Sequence, residues 1–238
     1  MKFARIAIII GIVFLFIPSS LGYSTSFTCF NQPHDSTSNY EETTVLVTGF
    51  SPFDIYDVNP SQLIAETLNG KYINEARLVG IVLPVDFEES VNVTIQAIKD
   101  YDPVLVISVG LSPKAHSIEV EKIGVNLKQM PHDEREWFFP HRIDPDGPFF
   151  RLSSIDTREV VLALREEGIP AQQSFSAGMY ICNAVLYKTL GYIEDHNLPK
   201  KAGFIHVPLL ISQDPNGMEL ETMVEAVEVS INSSLSES

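Results

Sequence analysis

The chain has 238 residues, of which 45% are hydrophobic and 20% are charged, and its formal net charge at pH 7 is −15. A chain of this length and composition can bury a substantial core without disulfides or metals, as one large domain or two small ones. The negative charge argues against a nucleic-acid partner, because such a partner requires a basic face. The acidity is typical of a solvated, soluble surface.

The first residues have the pattern of a secretory signal peptide. Lys2 and Arg5 precede an apolar run at residues 6–17, and small residues follow at Ser20 and Gly22. The run is shorter than the roughly 20 apolar residues of a membrane-spanning helix, which leaves an uncleaved membrane anchor as the alternative. We therefore predict a signal peptide or N-terminal anchor that ends at Gly22, and a secreted or membrane-anchored location.

A polar stretch at residues 23–42 is typical of a flexible tether, so we place the folded domain at residues 43–238. The two cysteines of the chain are Cys29, in the tether, and Cys182. Export would allow a disulfide bond between them. Because nothing in the sequence holds Cys29 beside Cys182, we expect both thiols to be free.

Beyond the tether, apolar runs alternate with amphipathic segments. Continuous apolar runs predict buried strands at residues 44–48, 78–83, 104–109 and 202–207. Apolar residues at helical spacing predict helices at residues 60–69, 87–101, 157–167, 182–192 and 217–231. Two further segments are an extended one at 117–127 and long irregular loops at 128–154. The alternation predicts an α/β fold with a mostly parallel sheet covered on both faces.

Three side chains lie where such folds collect their active groups, at strand ends and helix starts. Cys182 begins a predicted helix, where unpaired N–H groups and the helix dipole favour a thiolate. His206 ends a buried strand and could take the thiol proton and return it to a leaving amine. Glu121 could orient that imidazole. The alternative is a cysteine packed in the core and a structural histidine, and the residues alone favour that alternative.

Neither a metal centre nor a cofactor is predicted. The histidines outside the tether are not spaced closely enough along the sequence to suggest a shared metal, and the two cysteines are far apart in sequence. These histidines include His116, His132, His141 and His206. Residues 45–51 follow a strand but contain one glycine, so they do not form a phosphate-binding loop.

Six ordered motifs resemble those of pyroglutamyl peptidase I, the pyrrolidone-carboxylate peptidase family of cysteine peptidases. The similarity runs from about Val45 to the C-terminus. The motifs are VTGFSPF at 47–53 with NPS at 59–61, LPV at 83–85, EKIGVNL at 121–127, GP at 147–148, SAGMYICN at 176–183 and GFIHVP at 203–208.

This resemblance implies a three-layer α/β/α sandwich with a mostly parallel, twisted sheet, and an enzyme that removes N-terminal pyroglutamate from peptides. Cys182 would form a thioester, His206 would act as acid and base, and Glu121 would orient His206. The residues implied to line the substrate pocket are Phe50, Phe53, Leu111, Tyr180 and Ile181. Family members are mainly cytoplasmic and often tetrameric, which implies a cytoplasmic location as the alternative and a possible homotetramer.

Two segments depart from the family pattern. The family usually has a glycine-rich turn with an arginine after Gly110, whereas this chain has LSPKAH at 111–116. Gln129 stands where the family usually carries an arginine before an Ile-Pro pair. These departures raise the alternative of a catalytically impaired or redirected family member that acts as a binding protein. A further hypothesis is a non-enzymatic, exported surface domain held by the tether.

Overall fold

The computed structural model of the protein describes residues 42–129 and 140–236. The predicted signal peptide or anchor, Cys29 and all of the tether except Glu42 lie outside these residues. Among the described residues, no helix combines the length and the apolar character needed to cross a membrane.

A seven-stranded sheet forms the middle layer. Its strands, in spatial order, are β2 (Tyr72–Ile73), β3 (Ala76–Leu83), β1 (Thr44–Phe50), β4 (Leu105–Leu111), β9 (Lys201–Val207), β5 (Ile118–Glu121) and β8 (Ala171–Ser174). The four central strands β3, β1, β4 and β9 are parallel. Strand β5 runs antiparallel to β9 and parallel to β8, so the end of the sheet beyond β9 is reversed.

The helices cover both faces of this sheet. They are α1 (Pro60–Leu68), α2 (Phe87–Tyr101), α3 (Thr157–Glu166), α4 (Ile181–Asp195) and α5 (Leu220–Ser236). One hydrophobic cluster joins the sheet to α1, α3 and α5, and a second joins it to α2 and α4. Successive residues of β1 pack alternately into the two clusters: Val45 and Val47 belong to the first and Leu46 to the second. This arrangement confirms the predicted three-layer α/β/α sandwich.

The predicted helices and long strands are all present, with boundaries that differ by a few residues. Helix α4 begins at Ile181 rather than Cys182, and β4 continues to Leu111. The short strands β2 and β8 were not predicted, because neither contains a long apolar run. The extended segment at 117–127 is two strands, β5 and β6 (Ile123–Val125), and they belong to different sheets.

Residues 128–154 were predicted to form irregular loops throughout, and this prediction was wrong near the C-terminal end of the segment. Strand β7 (Phe150–Leu152) lies there and pairs antiparallel with β6. Its pattern is inverted relative to an ordinary half-buried strand, because Arg151 is buried and pairs with Glu194 of α4 while Phe150 and Leu152 are exposed. A hydrophobic pattern therefore could not identify this strand.

Candidate active site

The fold brings together the three side chains that the sequence predicted to act together. Glu121 ends β5, and His206 lies near the end of the neighbouring antiparallel strand β9. The Nδ1–H of His206 donates a hydrogen bond to Oε1 of Glu121 at 2.7 Å. Cys182, in the first turn of α4, hydrogen-bonds His206 and is half-buried. Glu121 and His206 are both buried, so the imidazole lies between a half-exposed thiol and a carboxylate that is shielded from water.

The protonation state of His206 follows from these neighbours. Burial alone would lower the pKa of His206, but hydrogen bonds and charge interactions with Cys182 and Glu121 outweigh burial and raise that pKa to about 10. His206 is therefore an imidazolium at neutral pH, and it lies between the sulfur of Cys182 on one side and the carboxyl group of Glu121 on the other. In this state a proton is available for transfer to a leaving group.

The N-terminal end of α4 presents backbone donors next to the nucleophilic sulfur. Tyr180 occupies the N-cap position in an extended conformation, and among the described residues its side chain makes no capping hydrogen bond. The first turn also contains no acidic side chain. The N–H groups at this helix end are thus not capped by a local side chain, and they favour negative charge nearby.

Gly110 makes room for the thiol. A Cβ atom at this position would lie 2.9 Å from the Sγ of Cys182 and 2.8 Å from the Cζ of Phe204. Both distances are shorter than ordinary side-chain contacts, so a larger residue would displace one of these groups. The requirement for glycine here depends on α4 packing across the end of β4, which no local sequence pattern reveals.

Asn183 fixes the start of α4 to the strand that follows Glu121. Its amide group donates to the carbonyl oxygens of Val125 at 2.8 Å and Leu127 at 2.9 Å, and its Oδ1 accepts from the N–H of Val125 at 2.8 Å. The side chain is fully buried. These bonds hold the residue next to Cys182 against β6, which leads directly from the Glu121 strand.

A cavity of about 330 Å³ opens beside the thiol. Cys182 and His206 line it together with every residue implied by the family resemblance for the pocket: Phe50, Phe53, Leu111, Tyr180 and Ile181. Its wall also contains Asn59, Val85, Ser112, Pro113, Glu119, Ser176, Ala177 and Gly178. The volume and the mostly apolar wall suit a small ring with few polar groups.

Phe50 packs in the hydrophobic core and also lines the cavity. It is 3% exposed, and its ring centroid lies 6.5 Å from that of Phe204. The backbone N–H of Phe50 donates to Oγ of Ser61 at 3.0 Å, and Asn59 donates from Nδ2 to the carbonyl oxygen of Ser51 at 3.1 Å. The NPS motif at the start of α1 therefore anchors the end of β1 and the aromatic side chain there.

The other aromatic residues of the cavity lie outside the regular strands and helices. Phe53 is half-buried in the turn after β1 and packs edge-on against Tyr56, with ring centroids 6.0 Å apart. Tyr180 packs edge-on against Phe87 of α2 at 5.4 Å, and burial raises the pKa of the Tyr180 hydroxyl. Both rings line the cavity.

The two departures from the family pattern both lie close to the site. Ser112 and Pro113 of the changed turn line the cavity directly. The backbone N–H of Gln129 donates to the carbonyl oxygen of Met179 at 2.8 Å, just before the helix that carries Cys182. Residues 130–139, which follow Gln129, lie outside the described residues.

Comparison with known proteins gives one consistent result. The sequence model of the pyroglutamyl peptidase family matches residues 43–237. The chain is 34% identical over 203 residues to the pyrrolidone-carboxylate peptidase of Thermococcus litoralis, which covers 80% of this chain and 92% of that protein. It is 37% identical over 204 residues to the corresponding peptidase of Pyrococcus furiosus, which covers 81% of this chain and 98% of that protein.

Solved structures agree with the sequence comparison. The pyrrolidone carboxyl peptidase from T. litoralis superposes with a TM-score of 0.77 at 34% identity, covering 82% of this chain and 94% of that one. A structure of the P. furiosus peptidase gives a TM-score of 0.77 at 35% identity, with 82% of this chain and 99% of that one covered. The chain therefore belongs to the pyroglutamyl peptidase family of cysteine peptidases.

Proposed function

We propose that the protein hydrolyses the peptide bond after an N-terminal pyroglutamate, with Cys182 as nucleophile, His206 as acid and base, and Glu121 as the residue that orients His206. The observation that carries this proposal is the continuous chain of contacts from the thiol through the imidazole to the buried carboxylate, at the rim of an apolar cavity. Family membership supports pyroglutamyl peptidase activity.

Acylation begins from the sulfur anion and the His206 imidazolium. The sulfur of Cys182 attacks the carbonyl carbon that follows the pyroglutamate ring, and the carbonyl oxygen becomes an oxyanion. The uncapped backbone N–H groups at the start of α4 support the proposal that this helix end stabilises the oxyanion. His206 then donates its proton to the leaving amine, the C–N bond breaks, and a thioester with Cys182 remains.

Deacylation reverses the role of the imidazole. His206, now neutral, takes a proton from a water molecule that attacks the thioester carbonyl. The C–S bond breaks, pyroglutamate leaves, and the proton held by His206 restores the ion pair with the sulfur. Glu121 keeps the ring orientation fixed through both steps because its carboxylate accepts the Nδ1–H bond throughout.

The cavity accounts for selection of the pyrrolidone ring. Phe50, Phe53, Tyr180 and Ile181 supply flat and apolar surface against which a five-membered ring can pack. Leu111, at the end of β4, brings backbone groups to the rim of the same cavity, where they can bond the ring amide. An open-chain glutamyl residue would bring a free ammonium group and a carboxylate into this apolar space, at a large desolvation cost.

The direct test compares the wild type and Cys182→Ala on a fluorogenic pyroglutamyl amide, with the open-chain glutamyl amide as substrate control. We expect turnover of the first substrate only, and a loss of at least about 10³-fold in Cys182→Ala with an unchanged melting temperature. Equal turnover by Cys182→Ala would contradict the mechanism. A reactive thiol without any turnover by the wild type would favour the binding protein suggested by Gln129 and the changed turn at 111–116.

We also propose that the segment ending at Gly22 directs export, with the catalytic domain beginning at residue 43. The charged start, the short apolar run and the small residues that follow support this proposal. Intact-mass analysis of the protein made in a secreting host tests it. Removal of about 22 residues supports a cleaved signal peptide, whereas a full-length mass in the membrane fraction supports an anchor.

A further inference from the structure

Glu119 is an acidic wall residue of the cavity that the proposed mechanism does not use. It lies on β5 two residues before Glu121, so both carboxylates leave the same face of the strand. Glu119 is directly opposite His206 in the antiparallel pairing of β5 with β9. It is half-buried and lines the cavity, and its Oε1 accepts a hydrogen bond from Nε2 of Gln172 at 3.0 Å.

The strand order places Glu119 on a defined side of the reacting atoms. The ring-binding residues Phe50 and Leu111 end β1 and β4, on one side of β9. Glu119 lies on β5, on the other side of β9. If the ring of the substrate occupies the β1 and β4 side, with its carbonyl at Cys182, a leaving group that extends past His206 reaches β5. In that placement Glu119 adjoins the residue that follows pyroglutamate.

The charge of Glu119 is not balanced by a lysine or an arginine in the part of the chain that the structure describes. Gln172 is a neutral partner. A carboxylate oxygen of Glu119, a carboxylate oxygen of Glu121 and a ring nitrogen of His206 lie within 4.8 Å of one another. The imidazolium is already shared between Cys182 and Glu121, so the second carboxylate leaves the leaving-group side of the cavity with excess negative charge.

We propose that Glu119 is a specificity residue that favours substrates in which a cationic side chain, such as lysine or arginine, follows pyroglutamate. This inference rests on the proposed function. A cation at that position neutralises the excess charge, whereas an acidic side chain adds to it. The interaction is partly exposed to water, so the expected preference is modest.

The test assays the purified full chain on three dipeptide amides. They are the pyroglutamyl-lysine, pyroglutamyl-norleucine and pyroglutamyl-glutamate amides. Released amino-acid amide is measured by chromatography to give kcat/KM for each. We expect the wild type to prefer the lysine over the norleucine substrate by about fivefold, and to prefer norleucine over glutamate by a similar factor. Raising the salt concentration to about 0.5 M should reduce both ratios toward one.

Glu119→Gln should bring both ratios close to one, because glutamine keeps the volume and can still accept the bond from Gln172. Glu225→Gln, the same charge change on an exposed position of α5, should leave both ratios unchanged. An unchanged ratio in Glu119→Gln overturns the inference. If Glu119→Gln lowered kcat/KM equally for all three substrates and shifted the pH profile, the inference would also be overturned. That result would mean that Glu119 acts through His206. Failure of the wild type to cleave any of the three overturns the proposed function as well.

Discussion

Oε1 of Glu121 accepts the Nδ1–H bond of His206 at 2.7 Å, while Oε2 of the same carboxylate is buried without a hydrogen-bond partner among the described residues. A buried carboxylate oxygen without a partner is costly, so the local structure does not hold this charge for stability alone. The positive charge of His206 offsets that cost. The pair is thus more strongly coupled than an exposed histidine and carboxylate would be.

Glu121→Gln should lower the upper pH limit of activity. The proton on His206 must be present for transfer to the leaving amine, and its pKa of about 10 sets the pH above which kcat/KM falls in the wild type. Glutamine can still accept the Nδ1–H bond but carries no charge, so the alkaline limb should move down by about 1–2 pH units. We expect kcat/KM near neutral pH to fall by about 10²-fold.

The control for this prediction is Glu225→Gln, which removes a charge from the exposed side of α5 and should leave the pH profile unchanged. The measurement is a pH–rate profile of kcat/KM on the pyroglutamyl reporter from pH 6 to about 11, which covers the plateau and the alkaline limb. If Glu121→Gln reduced the rate and left the alkaline limb in place, Glu121 would not stabilise the imidazolium.

Gly110→Ala should impair catalysis and also lower the stability of the fold. The added methyl group would meet the Sγ of Cys182 at 2.9 Å and the ring of Phe204 at 2.8 Å. Overpacking of this kind costs about 1–3 kcal/mol of stability. The displaced thiol would lose its alignment with the carbonyl, for which we expect a loss of about 10²-fold in kcat/KM. Iodoacetamide labelling of Cys182 under native conditions would show the displaced thiol as a changed alkylation rate. Full activity in a folded Gly110→Ala protein would contradict the close packing.

The positions of Cys182 and His206 at the ends of regular elements made them candidates in the sequence, but the six family motifs, and not the residues alone, favoured a catalytic role for them. Cys182 follows a small-residue approach to a helix and His206 ends an apolar run, so position in the element sequence is informative for both. Glu119 and Gly110 could not be assigned roles in this way. Their importance depends on which strand neighbours β9 and on how closely α4 crosses β4, and these relationships are set by tertiary packing. The inward-facing Arg151 of β7 was missed for the same reason.

Asn183→Ala should destabilise the protein and reduce activity together. The substitution leaves the N–H and carbonyl groups of Val125 and the carbonyl of Leu127 without the bonds that Asn183 makes. Unsatisfied buried groups cost about 1–3 kcal/mol each, so the melting temperature should fall by roughly 5 °C or more. Asn92→Ala, at an exposed position of α2, is the matched control and should change the melting temperature little. An unaltered melting temperature in Asn183→Ala would mean that water replaces these bonds without loss.

Phe53→Ala should weaken binding of the pyrrolidone ring with little effect on the fold. Phe53 is half-buried at the cavity wall, whereas Phe50 is 3% exposed and belongs to the core cluster of α2 and α4. Removing the Phe53 ring deletes apolar contact with the substrate, so we expect KM for the pyroglutamyl reporter to rise about tenfold. Phe50→Ala should instead cost about 3–5 kcal/mol of stability. Phe175→Ala, which removes a ring that is 61% exposed and outside the cavity wall, is the control and should leave KM unchanged. If KM rose equally in Phe53→Ala and Phe175→Ala, the turn after β1 would not form part of the ring pocket.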